Sequence, residues 1–394
     1  MSIYPMVEGD LDALSEMLGA AFAYPPHETP AWLDQGGRNN VRVIREGHRP
    51  VACLLEVPMG HFFGGRSVPT CGIAGVAVAL DKRRRGLARA LMRDLIVEVA
   101  SRGCALSTLY PATQTLYRRA GYERAGKLVD TVIPLDTLKA SSVPDGRHLE
   151  VRALTPSDEA IVVAAYREVA REKNGWLDRG PYIWSRVRTP RGKLARGFGF
   201  FGATGELEGH VYMAQERTNP RDPWHDVRLY DLVARTPAAV GAIARFLHDQ
   251  RSTAHHVILR SGPSDPFLTA LDEPCFTQTA ERDWMVRITR VQSALETRGY
   301  PVGIATKLEL ELTDDLVAEN RGCFTLEIEG GRGRVTRSGA GHIRLDVLAL
   351  APLFTSYLTA SAVRRLGRLE ARDADVAMLD SVFAGSMPSM GEMF

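Results

Sequence analysis

Leu11, Leu14, Leu18 and Phe22 recur three or four residues apart behind Gly9-Asp10, a spacing that predicts a capped amphipathic helix over 9–22. The run 24–30, Tyr-Pro-Pro-His-Glu-Thr-Pro, cannot stay helical because its prolines lack amide donors, so a rim or lid is expected there. The period then falls to two. Val41–Ile44 and Val51–Val57 predict antiparallel strands around a turn at Glu46-Gly47, and residues 68–80 continue the sheet. Leu80-Asp81-Lys82 breaks the alternation, and Leu87, Leu91, Leu95 and Val99 restore a helical period. Val76 and Val78 thus end a strand, a basic glycine-containing turn follows, and a helix opens. A short strand over 104–109 and a short helix over 115–119, stopping near Gly121, complete this first stretch.

Pro134 to Arg147 carries two prolines, Gly146 and the pair Ser141-Ser142, and reads as a linker. From His148 the pattern partly repeats: Val151–Asp158 opens a second unit much as Ile3–Asp10 opens the first. Strands are expected over 209–215 and 229–234, and Thr236-Pro237 makes a good start for a helix. The last hundred or so residues predict a small α+β unit. Trp284, Val286 and Ile288 mark a strand, 291–298 a helix, and 308–312 and 324–329 two half-buried strands; the run Gly330-Gly331-Arg332-Gly333 reads as a hairpin turn. Apolar helices are expected over 345–358 and 374–383.

A length of 394 residues favours two or three domains. Hydrophobic residues at 45% and charged residues at 24% describe a folded globular chain, and a net charge of +2 gives no global reason to expect nucleic acid or an anionic membrane as partner. The five cysteines are scattered without a Cys-x-x-Cys pair, which points to a reducing compartment and away from structural zinc; the chain reads as cytoplasmic, with unconventional export left open. The start Met-Ser-Ile-Tyr-Pro lacks the pattern of a signal peptide, and no run is long enough to span a membrane. The adjacent His255-His256 has no partner at metal-ligand spacing and reads as a surface or capping pair.

The candidate chemistry gathers in 75–122. At the strand–turn–helix junction the first helical amides have no intrahelical partner, Gly86 permits close approach, Ala88 adds no bulk, and the helix dipole with Arg83–Arg85 favours a pyrophosphate. The turn resembles the Arg-x-x-Gly-x-Gly/Ala signature of the GNAT N-acetyltransferases, matched by Arg83, Gly86 and Ala88. The second unit, with Ala234-Arg235-Thr236-Pro237-Ala238-Ala239 at the equivalent turn, lacks it. An intact GNAT unit, a worn one and a small α+β unit in that order resemble the Eis-type N-acetyltransferases, whose third domain looks like a sterol carrier protein. Val76–Arg89, Tyr110–Glu123, Trp284–Tyr300 and the terminal Phe394 carry the resemblance.

That resemblance implies an α+β fold of tandem GNAT units, the second degenerate, with a catalytic domain over 1–140, a GNAT-like domain over 148–283 and a sterol-carrier-like domain over 284–394. It implies acetyl-coenzyme A as cosubstrate with no metal, and a primary amine as acceptor, either an aminoglycoside-like polyamine or a lysine side chain. It further implies a homohexamer. The splayed strands would pair with pantetheine; Val76, Ala77 and Val78 would contact the acyl group; Arg84, Arg85, Gly86, Leu87, Ala88 and Arg89 would cradle the phosphates; Ala112 and Thr113 would line the pantetheine. Tyr117 takes the position of the general acid, and its ordinary pKa near ~10 suits proton donation to a thiolate. The Phe394 carboxylate would be the general base, although an α-carboxylate ordinarily titrates at about 3.5. Burial or a neighbouring anion such as Glu392 would raise it. Glu28, Asp34 and Glu56 are rival bases or attractors of a cationic amine. Gly75 stands where the aminoglycoside-modifying relatives carry a bulky aromatic residue, so a different pocket shape is expected. The competing reading is a non-catalytic carrier binding an apolar ligand through its third domain.

Overall fold

The computed structural model describes residues 2–217 and 223–394. The chain divides into two compact units: Met1–Gly126 with Asp283–Ser386 and Phe394, and Lys127–Arg282 with Met387–Met393.

In the first unit Val41–Glu46 pairs antiparallel with Arg49–Phe63, which forms a long hairpin with Arg66–Val78. The second of these strands runs well past the expected Val57. Residues 60–63 are buried without alternation, a pattern that period two does not reveal. Arg66–Val78 continues in parallel with Leu106–Leu109, whose other edge pairs antiparallel with Met285–Ile288. The helix Leu87–Ser101 lays Leu87, Leu91, Met92, Leu95, Ile96 and Val99 into one core with Ile44, Val51, Leu54 and Ile73, as its periodicity requires.

The C-terminal elements of this unit form a five-stranded sheet in the order Arg332–Thr336, Gly322–Glu329, Thr306–Thr313, Ile343–Asp346, Leu369–Glu370. Gly330-Gly331 turns the first hairpin, as expected. The helix expected over 345–358 is shorter. Ile343–Asp346 is a strand parallel to Thr306–Thr313, and the Asp346 carboxylate accepts the Ala349 amide at 2.6 Å, so the helix begins only at Val347 and ends at Phe354. The apolar run hid a strand because Asp346 is both the strand's end and the helix's cap. Arg287 ties this sheet to the first: fully buried, it pairs with buried Asp314 at 2.6 Å.

The second unit repeats the pattern. Glu150–Ala153, Arg196–Phe201, Leu207–Glu216, His225–Ala234 and Ala254–Ser261 pair in that order, followed by residues 129–134. The helix Pro237–His248 starts at Thr236, whose hydroxyl accepts the Ala239 amide at 3.1 Å. The segment 134–147 is not a free tether: Leu135 and Leu138 are sealed in this unit's core beside Ile133 and Ile243, because burying two leucines outweighs the local turn signals.

Candidate active site

The turn after Val78 has the backbone of an anion site. Arg84 and Gly86 both sit in the left-handed region, at φ 65° and 78°. Such alternation turns successive amides toward one concave face. Open space surrounds the place a Gly86 side chain would occupy, so glycine serves the backbone conformation there and not packing. The first helical bond runs from Ala90 to Gly86 at 3.0 Å, leaving the amides of Leu87, Ala88 and Arg89 outside the helical ladder. Lys82 and Arg49 pair with Glu46 and Asp81 at 2.6 and 3.2 Å. Among the described residues Arg83, Arg84, Arg85 and Arg89 take no ion-pair partner, and all four are exposed. The turn therefore fits a pyrophosphate.

Beside it the sheet opens. Thr70–Gly72 pairs with Leu106–Thr108, and beyond Gly72 the two strands part. Ala74 faces Leu55 while Ala77 faces Cys53, so Gly75 and Val76 together oppose Leu54 in a bulge, with Gly75 at φ 58°. Ala77 and Val78 pair with Cys53 and Ala52 on one side, and on the other side no described strand covers residues 73–78. Trp32, on the helix Thr29–Gly36, closes over the bulge: a Cβ on Gly75 would lie 2.5 Å from its ring. The proline-rich rim thus supplies an aromatic wall where this strand itself carries none.

Tyr117 lies on the short helix Gln114–Arg118, its ring edge-on to Tyr122 at 6.1 Å. Tyr122 is fully buried and shares a 2.6 Å hydrogen bond with Ser107, so the platform under Tyr117 is fixed. Burial pushes the Tyr117 phenol up to about 12, which keeps it protonated at neutral pH. Gly121, ending this segment, lies against the Arg287 guanidinium, since a Cβ there would meet it at 2.7 Å. Ala112 and Thr113 are exposed in the loop leading into the helix.

Phe394 joins the same unit. Its ring is 6.3 Å from Tyr110, edge-on, and a Cβ on Gly72 would approach it to 2.9 Å. The chain's last side chain therefore stands at the residue where the strands begin to separate. Gly72 and Tyr110 were missed in the sequence; an isolated glycine inside a strand was the signal for Gly72, marking a close approach by another group.

The rival acids fare differently. Glu56 is buried and held by Arg42 at 2.9 Å and by Arg102, so its charge is already matched. Asp34 is paired with Arg38 at 2.6 Å on the surface, and Glu28 is exposed. Glu392 accepts from Arg179 Nε at 2.5 Å within the second unit. Burial raises Cys53 to about 12 and Cys71 well above its ordinary range, which removes both as thiolate nucleophiles. Among the described residues no cluster of three or more His, Cys, Asp or Glu could hold a metal, and no helix is long and apolar enough to cross a membrane. His256 pairs with Asp226 at 3.0 Å and its neighbour His255 is exposed beside Trp224.

The chain as a whole is similar to known acetyltransferases. Acetyltransferase (GNAT) domain models match residues 2–125 and 175–288, and a sterol carrier protein domain model matches 291–391. A solved GCN5-related N-acetyltransferase from Anabaena variabilis is 32% identical, with each chain wholly covered and a TM-score of 0.93. N-acetyltransferase Eis of Mycobacterium tuberculosis is 27% identical over 377 residues, 92% of this chain and 91% of its own. Eis1 from Mycobacterium abscessus shares the fold over the whole of both chains at a TM-score of 0.81 and 19% identity.

Proposed function

This chain belongs to the Eis-type GCN5-related N-acetyltransferases, and from that premise we propose that its first unit acetylates a primary amine with Tyr117 as general acid and the Phe394 carboxylate as general base. The family's acyl donor is acetyl-coenzyme A, which supplies the activated thioester. One observation carries the assignment of roles: a single compact unit contains the anion-binding turn, an uncovered strand edge, a buried phenol and the chain's final residue.

Each group has a task. The amides of Leu87, Ala88 and Arg89, within a field set by Arg84 and Arg85, hold the diphosphate. Ala112 and Thr113 flank the pantetheine, and the Val76–Val78 edge offers amides toward the acyl oxygen, where donors aimed at developing charge are most effective. Tyr117, neutral because it is buried, gives its proton to the departing thiolate. The Phe394 carboxylate removes a proton from the acceptor ammonium and so makes the amine nucleophilic.

The acceptor is an aminoglycoside-like polyamine or a lysine side chain. Trp32 over Gly75 narrows the channel, and the exposed Glu28 on the rim favours a cation. The scattered cysteines of the sequence are the ground for a reducing, cytoplasmic setting; a homohexamer is the assembly the family resemblance supports, and sedimentation reads it directly. The test is release of free thiol from acetyl-coenzyme A against a panel of polyamines, aminoglycosides and lysine peptides. Deleting Phe394 is expected to lower kcat about 100-fold while the KM for acetyl-coenzyme A stays within about twofold. An unchanged kcat would remove the general-base role.

A further inference from the structure

The short helix that carries Tyr117 closes on Tyr117 itself. Its carbonyl oxygen accepts the Ala120 amide at 2.9 Å and the Tyr122 amide at 3.1 Å, and Gly121 permits the return with φ 84°. Where residues 120–122 sit therefore decides where Tyr117 sits. Tyr122 is fixed through the Ser107 hydroxyl, which in turn donates to Cys71 O at 2.9 Å. Gly121 is held differently, by a buried cation. A Cβ there would meet Nη1, Cζ and Nε of Arg287 at 2.7, 2.8 and 2.9 Å, so the flat guanidinium fills the space a side chain would take. The corresponding space at Gly86 is open, whereas glycine at 121 answers both the backbone and this contact.

Arg287 comes from the strand segment Met285–Ile288, where it stands opposite Ser107, and its side chain is fully buried. Nη2 donates to both oxygens of Asp314 at 2.6 Å. Nε and Nη1 face Gly121 and take no hydrogen-bond partner among the described residues. Asp314 is buried as well, and it also accepts the Leu316 amide at 2.9 Å, the Val317 amide at 3.2 Å and Asn320 Nδ2 at 2.8 Å. Val317 shares one core with Tyr117, Ala120 and Tyr122, and Leu316 packs against it. The loop that carries the carboxylate thus returns to the core that seats the phenol. Taking two charges out of water is costly, and an apolar pair of similar volume would stabilise a core at least as well. What the pair adds is geometry: a rigid plane held by both carboxylate oxygens at one end and laid against the Gly121 turn at the other, which lysine cannot copy.

We propose that Arg287 is a positioning residue for acetyl transfer: pinned by Asp314 and laid against Gly121, it sets where the Tyr117 phenol stands. All four residues belong to the first compact unit. This inference rests on the reading of Tyr117 as general acid. It also gives the sterol-carrier-like segment, which supplies Asp314, a part in the chemistry of the first fold.

The experiment is a double-mutant cycle in the full chain. Arg287→Lys keeps the charge toward Asp314 and loses the plane over Gly121. Arg287→Met combined with Asp314→Asn removes both charges together, so that neither is left buried alone, and Asn keeps an oxygen for the Leu316 and Val317 amides. Each is measured in the parent and in Tyr117→Phe, with kcat, the KM for acetyl-coenzyme A and the melting temperature followed throughout. Both are expected to lower kcat about tenfold in the parent, with the KM for acetyl-coenzyme A within about twofold, and to cause no further fall in Tyr117→Phe. A merely structural pair would lower the melting temperature and leave kcat alone, or lower kcat equally in both backgrounds; either result overturns the inference. So does failure of both variants to fold, which would assign the pair to stability. If Tyr117→Phe lowers kcat while the folded Arg287 variants do not, the positioning role alone fails; if Tyr117→Phe changes nothing, the general-acid reading fails and takes this inference with it.

Discussion

The two acetyltransferase-like folds of this chain share a splayed strand pair and differ in how the next helix begins. In the first, pairing stops at Gly72 and Thr108, and the following turn reads Arg83 to Ala88 with left-handed Arg84 and Gly86. In the second, pairing stops at Arg228 and Ile258, and the helix starts from Thr236 and Pro237 with an ordinary cap. The Thr236 hydroxyl donates to Glu208 at 2.5 Å, which brings a carboxylate to the start of this helix. The open cleft is thus a property of the fold, while anion binding is a property of a few turn residues. One cleft keeps its turn; the other holds the tail.

The largest effect should come from giving the first turn the charge of the second. Gly86→Asp imposes a left-handed aspartate, which that residue tolerates better than most, and puts a carboxylate where the diphosphate sits. Acetyl-coenzyme A affinity is expected to fall at least about 100-fold, roughly 2.7 kcal/mol, by calorimetric titration. Retained affinity would show that the amides of this turn are not the phosphate site, and the contrast between the folds would lose its basis.

Next is Tyr117→Phe, which keeps the ring against Tyr122 and removes only the proton. A loss of about 10²- to 10³-fold in kcat is expected. The pH dependence has a definite sign. With its phenol raised to about 12, Tyr117 stays protonated through the physiological range, and its contribution is lost only as pH rises toward that value. Stability follows the same direction: the folded chain keeps a proton that the unfolded chain releases above about 10, so the stabilisation falls as pH climbs from there. An alkaline limb near neutrality that disappears in Tyr117→Phe would contradict this environment.

A smaller effect is expected at the apex of the first cleft. In Gly72→Ala the new methyl group meets the Phe394 ring at 2.9 Å and Met59 at 2.6 Å, so the terminal residue has to shift. A fall in kcat of about tenfold with little change in acetyl-coenzyme A affinity is expected, because misplacement by about 1 Å suffices for losses of this size. An unaltered kcat would mean that the ring's seat is irrelevant to the carboxylate's work.

Much of this was legible because local rules coincide with the fold. The strand–turn–helix at 76–99, the hairpin at Gly330-Gly331 and the Thr236-Pro237 start each rest on residues close in sequence, and each was found as expected. The failures have one cause. Trp32 meets Gly75, and Arg179 meets Glu392, across 43 and 213 residues, separations at which no periodicity operates. Glu56, read as a rival base, is sequestered by Arg42 and Arg102 from other elements. A charged residue in a strand announces its charge but not whether the fold has already answered it. The linker reading of 134–147 failed in the same way, since the prolines and serines are local signals and the burial of Leu135 and Leu138 is not.

The smallest effect belongs to the second helix start and is the strictest control on the comparison. Thr236→Ala removes the oxygen that accepts the Ala239 amide and leaves Glu208 without that donor. A loss of about 1 kcal/mol is expected, as for other threonine caps, readable as a lower urea midpoint for the unfolding of the second unit. Neither kcat nor the KM for acetyl-coenzyme A should change, since the cap contributes to the helix and not to a ligand. A raised KM would mean that this turn also meets the coenzyme, and the division between a binding fold and a tail-holding fold would have to be abandoned.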